Sequence, residues 1–383
     1  MKRIKSCILV IIIMTNTILC TSCWNYREIN DLSVIFGLGI DKKHDIYEFT
    51  GKVLLTANEE NKGNNLSQTF ISSKGTTIFD AIRNLILQDG KRVYFGHLSF
   101  IVISEDIAKE DINEVLDFFM RDDETREDMW IFIAPEPYTS KEILEIGLDH
   151  QELATYVNDT IENVRYIGKL YPIKLYEFID ISNSKGKNGV IPLISIKKTL
   201  FGDSAYTEGN AVFQGNQMVG KIDGNESKTL SIILNKQNGG ILPVKYNDDE
   251  EISKVSLEIN KTKTKLAPKY YDDNITIEIS TQTTAVLAEI MNNNVNVFNE
   301  EGRKKLIEST ENIIETNIKD LVSKAQNKLK SDIFGFGQLI KTDNPSLWKQ
   351  IEDDWSNIFQ DINIKVNSVV KISGSALYKK IIK

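Results

Sequence analysis

The thiols are the residues whose type and spacing most directly imply a chemistry. Cys20-Thr21-Ser22-Cys23 sets small side chains before the second cysteine, which lets an extended backbone enter a signal peptidase cleft. Cys23 would then be the first mature residue, with a thiol able to take a diacylglycerol thioether. Cys20 is excluded because Leu19 precedes it. All three cysteines lie at or before position 23, so the body beyond can form no disulfide. His44, His97 and His150 are far apart and show no metal-ligand spacing. Gly37-Leu-Gly39 lacks the third glycine and the helix of a dinucleotide loop, and reads as a strand that lets another backbone approach. Asp122-Asp-Glu124, Glu127-Asp128 and Asp248-Asp-Glu-Glu251 do not fit a calcium loop and read as solvated segments. Trp348, Ile351, Trp355, Ile358 and Phe359 recur at helical spacing, as on a core-facing helix. The expectation is a chain that is not an enzyme, with no catalytic residue, no metal site and no cofactor.

The elements around Cys23 agree with an export address. Lys2, Arg3 and Lys5 precede an apolar run of about a dozen residues, where a helix crossing a bilayer needs about twenty. Residues 1–22 therefore read as a signal peptide. Two or three acyl chains on Cys23, at about 0.8 kcal/mol per buried CH₂, would make the tether effectively permanent. Loss of Lys2, Arg3 and Lys5 leaves 43 basic residues against 54 acidic ones, a net charge near −11. So acidic a body argues against nucleic acid as a partner and against electrostatic binding to an anionic bilayer.

About 360 mature residues are enough for two or three domains. Asp31–Ile40 and Tyr47–Thr56 read as strands about the turn 41–45. Thr76 is placed to cap a helix ending near Gly90, His97–Ile103 is a buried strand, Ser104 opens a second helix, and Met129–Ala134 is a strand. Thr139 with Glu142 makes a capping box. A turn-rich stretch at 182–189 precedes a strand at Val190–Ile196. Further strands are expected at 210–214, 252–259, 275–283 and 361–373, with a helix at 226–234. Residues 299–330 carry the strongest helical pattern, about 45 Å long. A Phe334-Gly-Phe-Gly337 break separates it from a helix after Pro345. The fold class is α+β: multi-domain mixed sheets with packed helices and one long helix in the C-terminal half. The expected division is 23–200 and 201–376, the first part possibly two subdomains, with a basic tail at 377–383.

Three ordered stretches resemble a known family. Cys23-Trp24-Asn25-Tyr26-Arg27-Glu28-Ile29-Asn30-Asp31, running into Gly37-Leu-Gly-Ile-Asp41, is similar to the mature start of the Ger(x)C lipoproteins, the C subunits of spore germinant receptors. Asn25 stands where that family usually has an acidic residue. Lys91 to Ser104, with His97 leading into a strand, resembles the family's central segment, and His97 is taken as structural. Asp332-Ile-Phe-Gly335-Phe-Gly337, then Trp348, Trp355 and Phe359, resembles its C-terminal signature.

The resemblance implies a multi-domain α+β lipoprotein, non-enzymatic, on the outer face of a cytoplasmic membrane, namely the inner membrane of a spore. It would act in nutrient-triggered germination with two membrane partners, the A and B subunits. A substrate-binding lipoprotein of an importer is the alternative with the same anchor. That reading requires two similar lobes, whereas the long helix falls only in the second half.

Overall fold

The computed structural model describes residues 31–54, 68–146, 153–200, 202–236, 239–248, 251–271, 274–291 and 299–375, and, near the start, 4–6, 8 and 14. Cys23, Trp24, Arg27, Glu28, His150 and the basic tail lie outside these described residues. No helix among them is long and apolar enough to cross a membrane.

Two sheets organise the α+β fold. The first is a mixed, nine-stranded sheet ordered β3-β2-β1-β5-β6-β7-β8-β9, with β4 also paired to β1. Its strands are β1 (Leu32–Lys43), β2 (Ile46–Leu54), β3 (Gln68–Gly75), β4 (Arg92–Tyr94), β5 (Phe100–Ser104), β6 (Trp130–Ala134), β7 (Val190–Thr199), β8 (Gly202–Gln214) and β9 (Gln217–Ile222). The second sheet is ordered β10-β11-β12-β13. Its members are β10 (Ile241–Asp248), β11 (Glu251–Tyr271), β12 (Asn274–Ile290) and β13 (Asn363–Ser375).

The turn expected at 41–45 closes the β1–β2 hairpin through His44 and Asp45, both at positive φ (50° and 59°). That two-residue geometry matches the right-handed twist of the strands. β5 and β6 are parallel to β1 and buried on both faces. Ile101, Ile103, Ile131 and Ile133 enter one core with the helices Ile78–Asn84 and Asn113–Arg121. Phe100, Val102, Phe132 and Ala134 alternate into a second core with the helices Ser140–Glu145 and Leu153–Ile167. Continuous apolar runs such as Phe100 to Ile103 are what strands covered on both sides require.

Several elements differ from the sequence expectation. Thr77, not Thr76, caps the first helix, its hydroxyl accepting from the Asp80 amide, while the Thr76 amide donates back to Asp80. The helix after Ser104 is two helices, Glu105–Glu110 and Asn113–Arg121, because Asp111 is extended and the Ile112 amide donates instead to Asn216. Gly37 and Gly39 make room for side chains rather than backbone. A Cβ on Gly37 would lie 2.4 Å from the Phe100 ring, and one on Gly39 2.6 Å from Ser140 Oγ. Phe100 is wholly buried, so Gly37→Ala is expected to cost about 1–2 kcal/mol by overpacking, read as a lowered urea midpoint with unchanged slope.

The long helix spans Glu300–Lys324 and runs into a π turn, Ala325–Leu329. Leu306, Ile314, Ile318, Leu321 and Val322 face one side of the second sheet, packing with Leu257, Ile259, Ile277 and Ile279. β11 and β12 are far longer than the sequence suggested, 21 and 17 residues. Their buried hydroxyls are satisfied locally: Thr281 donates to Ser368 at 2.8 Å and Thr264 to the Ile232 carbonyl at 2.6 Å. Residue 200 falls at the tip of the β7–β8 hairpin, within the first sheet. Val190, Val212 and Ile222 of that sheet join the core of the second, so apolar packing is continuous between them.

Candidate functional site at the junction of the two sheets

The C-terminal signature residues meet where the two sheets join, around Asp332. The π turn ends at Lys330, whose φ of 51° reverses the chain. The Ser331 hydroxyl then donates to the Phe213 carbonyl of β8. Asp332 is 2% exposed. One carboxylate oxygen accepts from the amides of Phe334, Gly335 and Phe336 at 3.2, 2.9 and 3.1 Å. The other accepts from the Gly337 amide at 2.9 Å and Trp355 Nε1 at 3.2 Å. These amides open the helix Phe336–Asp343, so the carboxylate both caps its free N–H groups and sits at the positive end of its dipole. In the sequence, Phe334-Gly-Phe-Gly337 reads as a break between helices. The helix begins inside that break because Gly335 takes φ +78° and Asp332 supplies the missing acceptors.

The partner surface is the turn-rich stretch at 182–189. Gly186 accepts from the Gln338 amide at 3.0 Å, Ser184 Oγ from Gln338 Nε2 at 2.9 Å, and the Asp332 carbonyl from the Asn188 amide at 2.8 Å. A Cβ on Gly337 would lie 2.6 Å from Gly186 Cα and 2.7 Å from the Trp355 ring. A Cβ on Gly186 would meet the Trp348 ring at 2.7 Å. Trp348 is buried edge-on to Trp355 with centroids 5.4 Å apart. Gln326 ties the π turn to the same helices, donating to the carbonyls of Phe359 and Ile362.

Burial pushes the Asp332 carboxyl up to about 6, against the pull of the Gly337, Phe336 and Gly335 amides and the Trp355 indole. Burial also lowers the Lys187 ammonium, while the Asp332 charge opposes that shift. With both oxygens enclosed by amides and an indole, Asp332 is out of reach of any substrate. Its chemistry is to fix backbone, and the arrangement is a joint between the two halves.

Gly335, Gly337, Trp348 and Trp355 are thus brought together, and His97 is not. His97 is exposed in the loop between β4 and β5, its ring stacked on Phe36 at 5.9 Å and edge-on to Tyr94 at 6.3 Å. Sequence reasoning missed Gly186 and Asn188, since a Ser/Asn/Lys/Gly run signals a loop and says nothing of what docks on it. Asp332 had a usable signal: an aspartate shortly before two closely spaced glycines and a helix is a cap over exposed amides.

A second feature had no sequence signal at all. A cleft of about 630 Å³ lies by the carboxyl ends of the parallel strands β1, β5 and β6, lined by Asp41, His44, Glu48, Glu105, Glu136 and Lys141 among others. Such crevices hold ligands in open α/β sheets. Here the charges are largely spent on one another. Glu48 pairs with Lys141 at 2.9 Å, and Glu105 with Lys221 and Lys109 at 2.6 and 3.1 Å. Asp41 accepts from Ser140 Oγ at 2.8 Å and from the Ser140 and Lys141 amides, though burial still raises its pKa. Among the described residues no group of three or more His, Asp or Glu side chains could hold a metal ion.

Residues 25–196 match the family model described as the spore germination protein N-terminal domain. Residues 208–376 match that described as spore germination B3/GerAC like, C-terminal. Spore germination protein B3 of Bacillus subtilis (strain 168) is 26% identical over 354 residues, covering 91% of this chain and 93% of its own. Spore germination protein KC of the same organism is 22% identical, with 97% of each chain covered. In fold, the chain resembles the crystal structure of the GerBC protein, with a TM-score of 0.60 at 23% identity, over 90% of this chain and 100% of that one.

Proposed function

This chain belongs to the spore germination B3/GerAC-like family, and from that premise we propose that it is the lipid-anchored C subunit of a germinant receptor. It is a non-enzymatic scaffold that works beside the A and B membrane subunits, on the outer face of the inner spore membrane. The observation that carries this reading is that both halves match the two family models in order, directly after residues 1–22, which read as a leader, and Cys23. The 23–200 and 201–376 division is the matching proposal for its domains, the cut falling between the paired strands β7 and β8 and the Asp332 joint adding a second tie between the two parts.

The test is Cys23→Ala in a strain with this receptor as its sole one. The expected result is loss of the protein from the membrane fraction and slowed nutrient-triggered germination, with vegetative growth unchanged. Retention on the membrane after a wash with about 0.5 M salt, which strips electrostatic contacts and leaves a lipid anchor in place, would refute the tether. Wild-type germination despite release from the membrane would refute the need for it.

A further inference from the structure

The face of the second sheet turned away from the long helix carries an array of lysines. Lys245 on β10, Lys254, Lys261, Lys263, Lys265 and Lys269 on β11, and Lys365 and Lys371 on β13 are all exposed and point to this side. The register sets them in rows across the sheet: Lys261 beside Thr284 and Lys371, Lys263 beside Gln282 and Val369, and Lys265 beside Ser280 and Asn367. Glu258, Glu278 and Glu289 share the face, leaving five positive charges in excess among the described residues. Lys245 stands directly opposite Lys254, and like charges facing across strands weaken a sheet. A chain with 54 acidic residues thus gathers eight lysines on one sheet face.

We propose that this face lies on the anionic headgroup surface of the membrane to which the chain is tethered, an inference that rests on the lipid-anchor reading above. Net charge argued against such contact, but it is a sum over the molecule, and electrostatic attraction acts only within a Debye length of about 10 Å. Only the nearest face is felt. The eight residues from Trp24 to Asp31, at no more than about 3.5 Å each, keep the body within roughly 28 Å of Cys23. At that distance some face must approach the bilayer, and the remaining, acidic surface is repelled. The cations are all lysine, hydrated point charges on flexible stems that suit a diffuse anionic plane rather than the bidentate recognition for which arginine serves. Exposed Val369, Ile241 and Tyr271 lie on or beside the same face and give it modest apolar contact.

The mature chain with Cys23→Ser carries no lipid, so the face is tested separately from the tether. Mixed at low ionic strength with vesicles of equal phosphatidylglycerol and phosphatidylcholine, it is expected to sediment with them, and not with phosphatidylcholine alone. About 0.5 M salt should release it. Lys263→Glu, Lys265→Glu, Lys365→Glu and Lys371→Glu combined should weaken binding at least tenfold, since each surface lysine contributes roughly fivefold. Because these side chains point outward, circular dichroism and melting temperature should match the parent.

A control with Lys198, Lys328, Lys341 and Lys349 changed to glutamate should bind as the parent does. Equal loss in both variants, or equal sedimentation with neutral vesicles, would overturn the proposal. So would failure to bind anionic vesicles, whether or not the same lysines retain the chain on polyglutamate beads. Retention there would reassign the face to an acidic polypeptide.

Discussion

Asp332→Ala is expected to destabilise the chain by about 3–5 kcal/mol, because it leaves four backbone amides and an indole N–H buried without their acceptor. Equilibrium urea unfolding, followed by both far-ultraviolet circular dichroism and Trp fluorescence, measures it. The fluorescence should report first, since Trp348 and Trp355 pack on the joint itself. A loss below about 1 kcal/mol would mean that water replaces the carboxylate freely, and the joint would not be the fixed element described above.

Asp332→Asn keeps the shape but turns an NH₂ toward donors, so it too should destabilise, by less. Its pH dependence has a definite sign. The folded carboxyl is raised to about 6 from an ordinary 3.8, so between those values the folded state holds a proton that the unfolded state has released. The wild-type contribution is therefore present in full below 3.8 and is lost as pH rises through about 6. Carboxylates held low by lysines, such as Glu48 and Glu105, act in the opposite direction. They are common to both proteins and cancel in the comparison. The gap between wild type and Asp332→Asn should accordingly narrow between pH 4 and about 6; a gap that widened would reverse the assignment.

Gly337→Val is the second large effect. Glycine inside a helix ordinarily costs about 1 kcal/mol relative to alanine, so propensity alone favours a side chain here. The contact geometry decides otherwise. The first added carbon already falls 2.6 Å from Gly186 Cα and 2.7 Å from the Trp355 ring, and the backbone on one side cannot rotate away. Two further methyls make the overpacking about 3 kcal/mol or more. The loop at 182–189 must then lift from the helix Phe336–Asp343, freeing its backbone for proteolysis at the exposed Lys185 and the half-buried Lys187. A urea midpoint within error of the parent, with no new cleavage after Lys185 or Lys187, would show that the two halves do not depend on this contact.

Local order was largely legible from residue types. The Thr139–Glu142 capping box, the β1–β2 turn and the long helix each depend on neighbours within a few residues, and each is where the spacing placed it. What was misread depended on partners far along the chain. Asp111 breaks a helix because the Ile112 amide is taken by Asn216, and a helix starts at Phe336 because Asp332 and Gly186 satisfy its end. The lysine rows of β11 and β13 were invisible for the same reason: one register brings Lys261 and Lys371 onto the same row, although they lie over a hundred residues apart.

The sequence by itself determined the absence of thiols beyond position 23, the α+β class and the family, all of which are carried by composition, period and short motifs. Only the tertiary structure decided that Gly335, Gly337, Trp348 and Trp355 form one joint around a buried carboxylate, that His97 stands apart from it, and that an acidic protein presents one basic face. Those are properties of which surfaces meet, and pairing between distant segments depends on both partners at once, so the pattern of either segment alone does not reveal it.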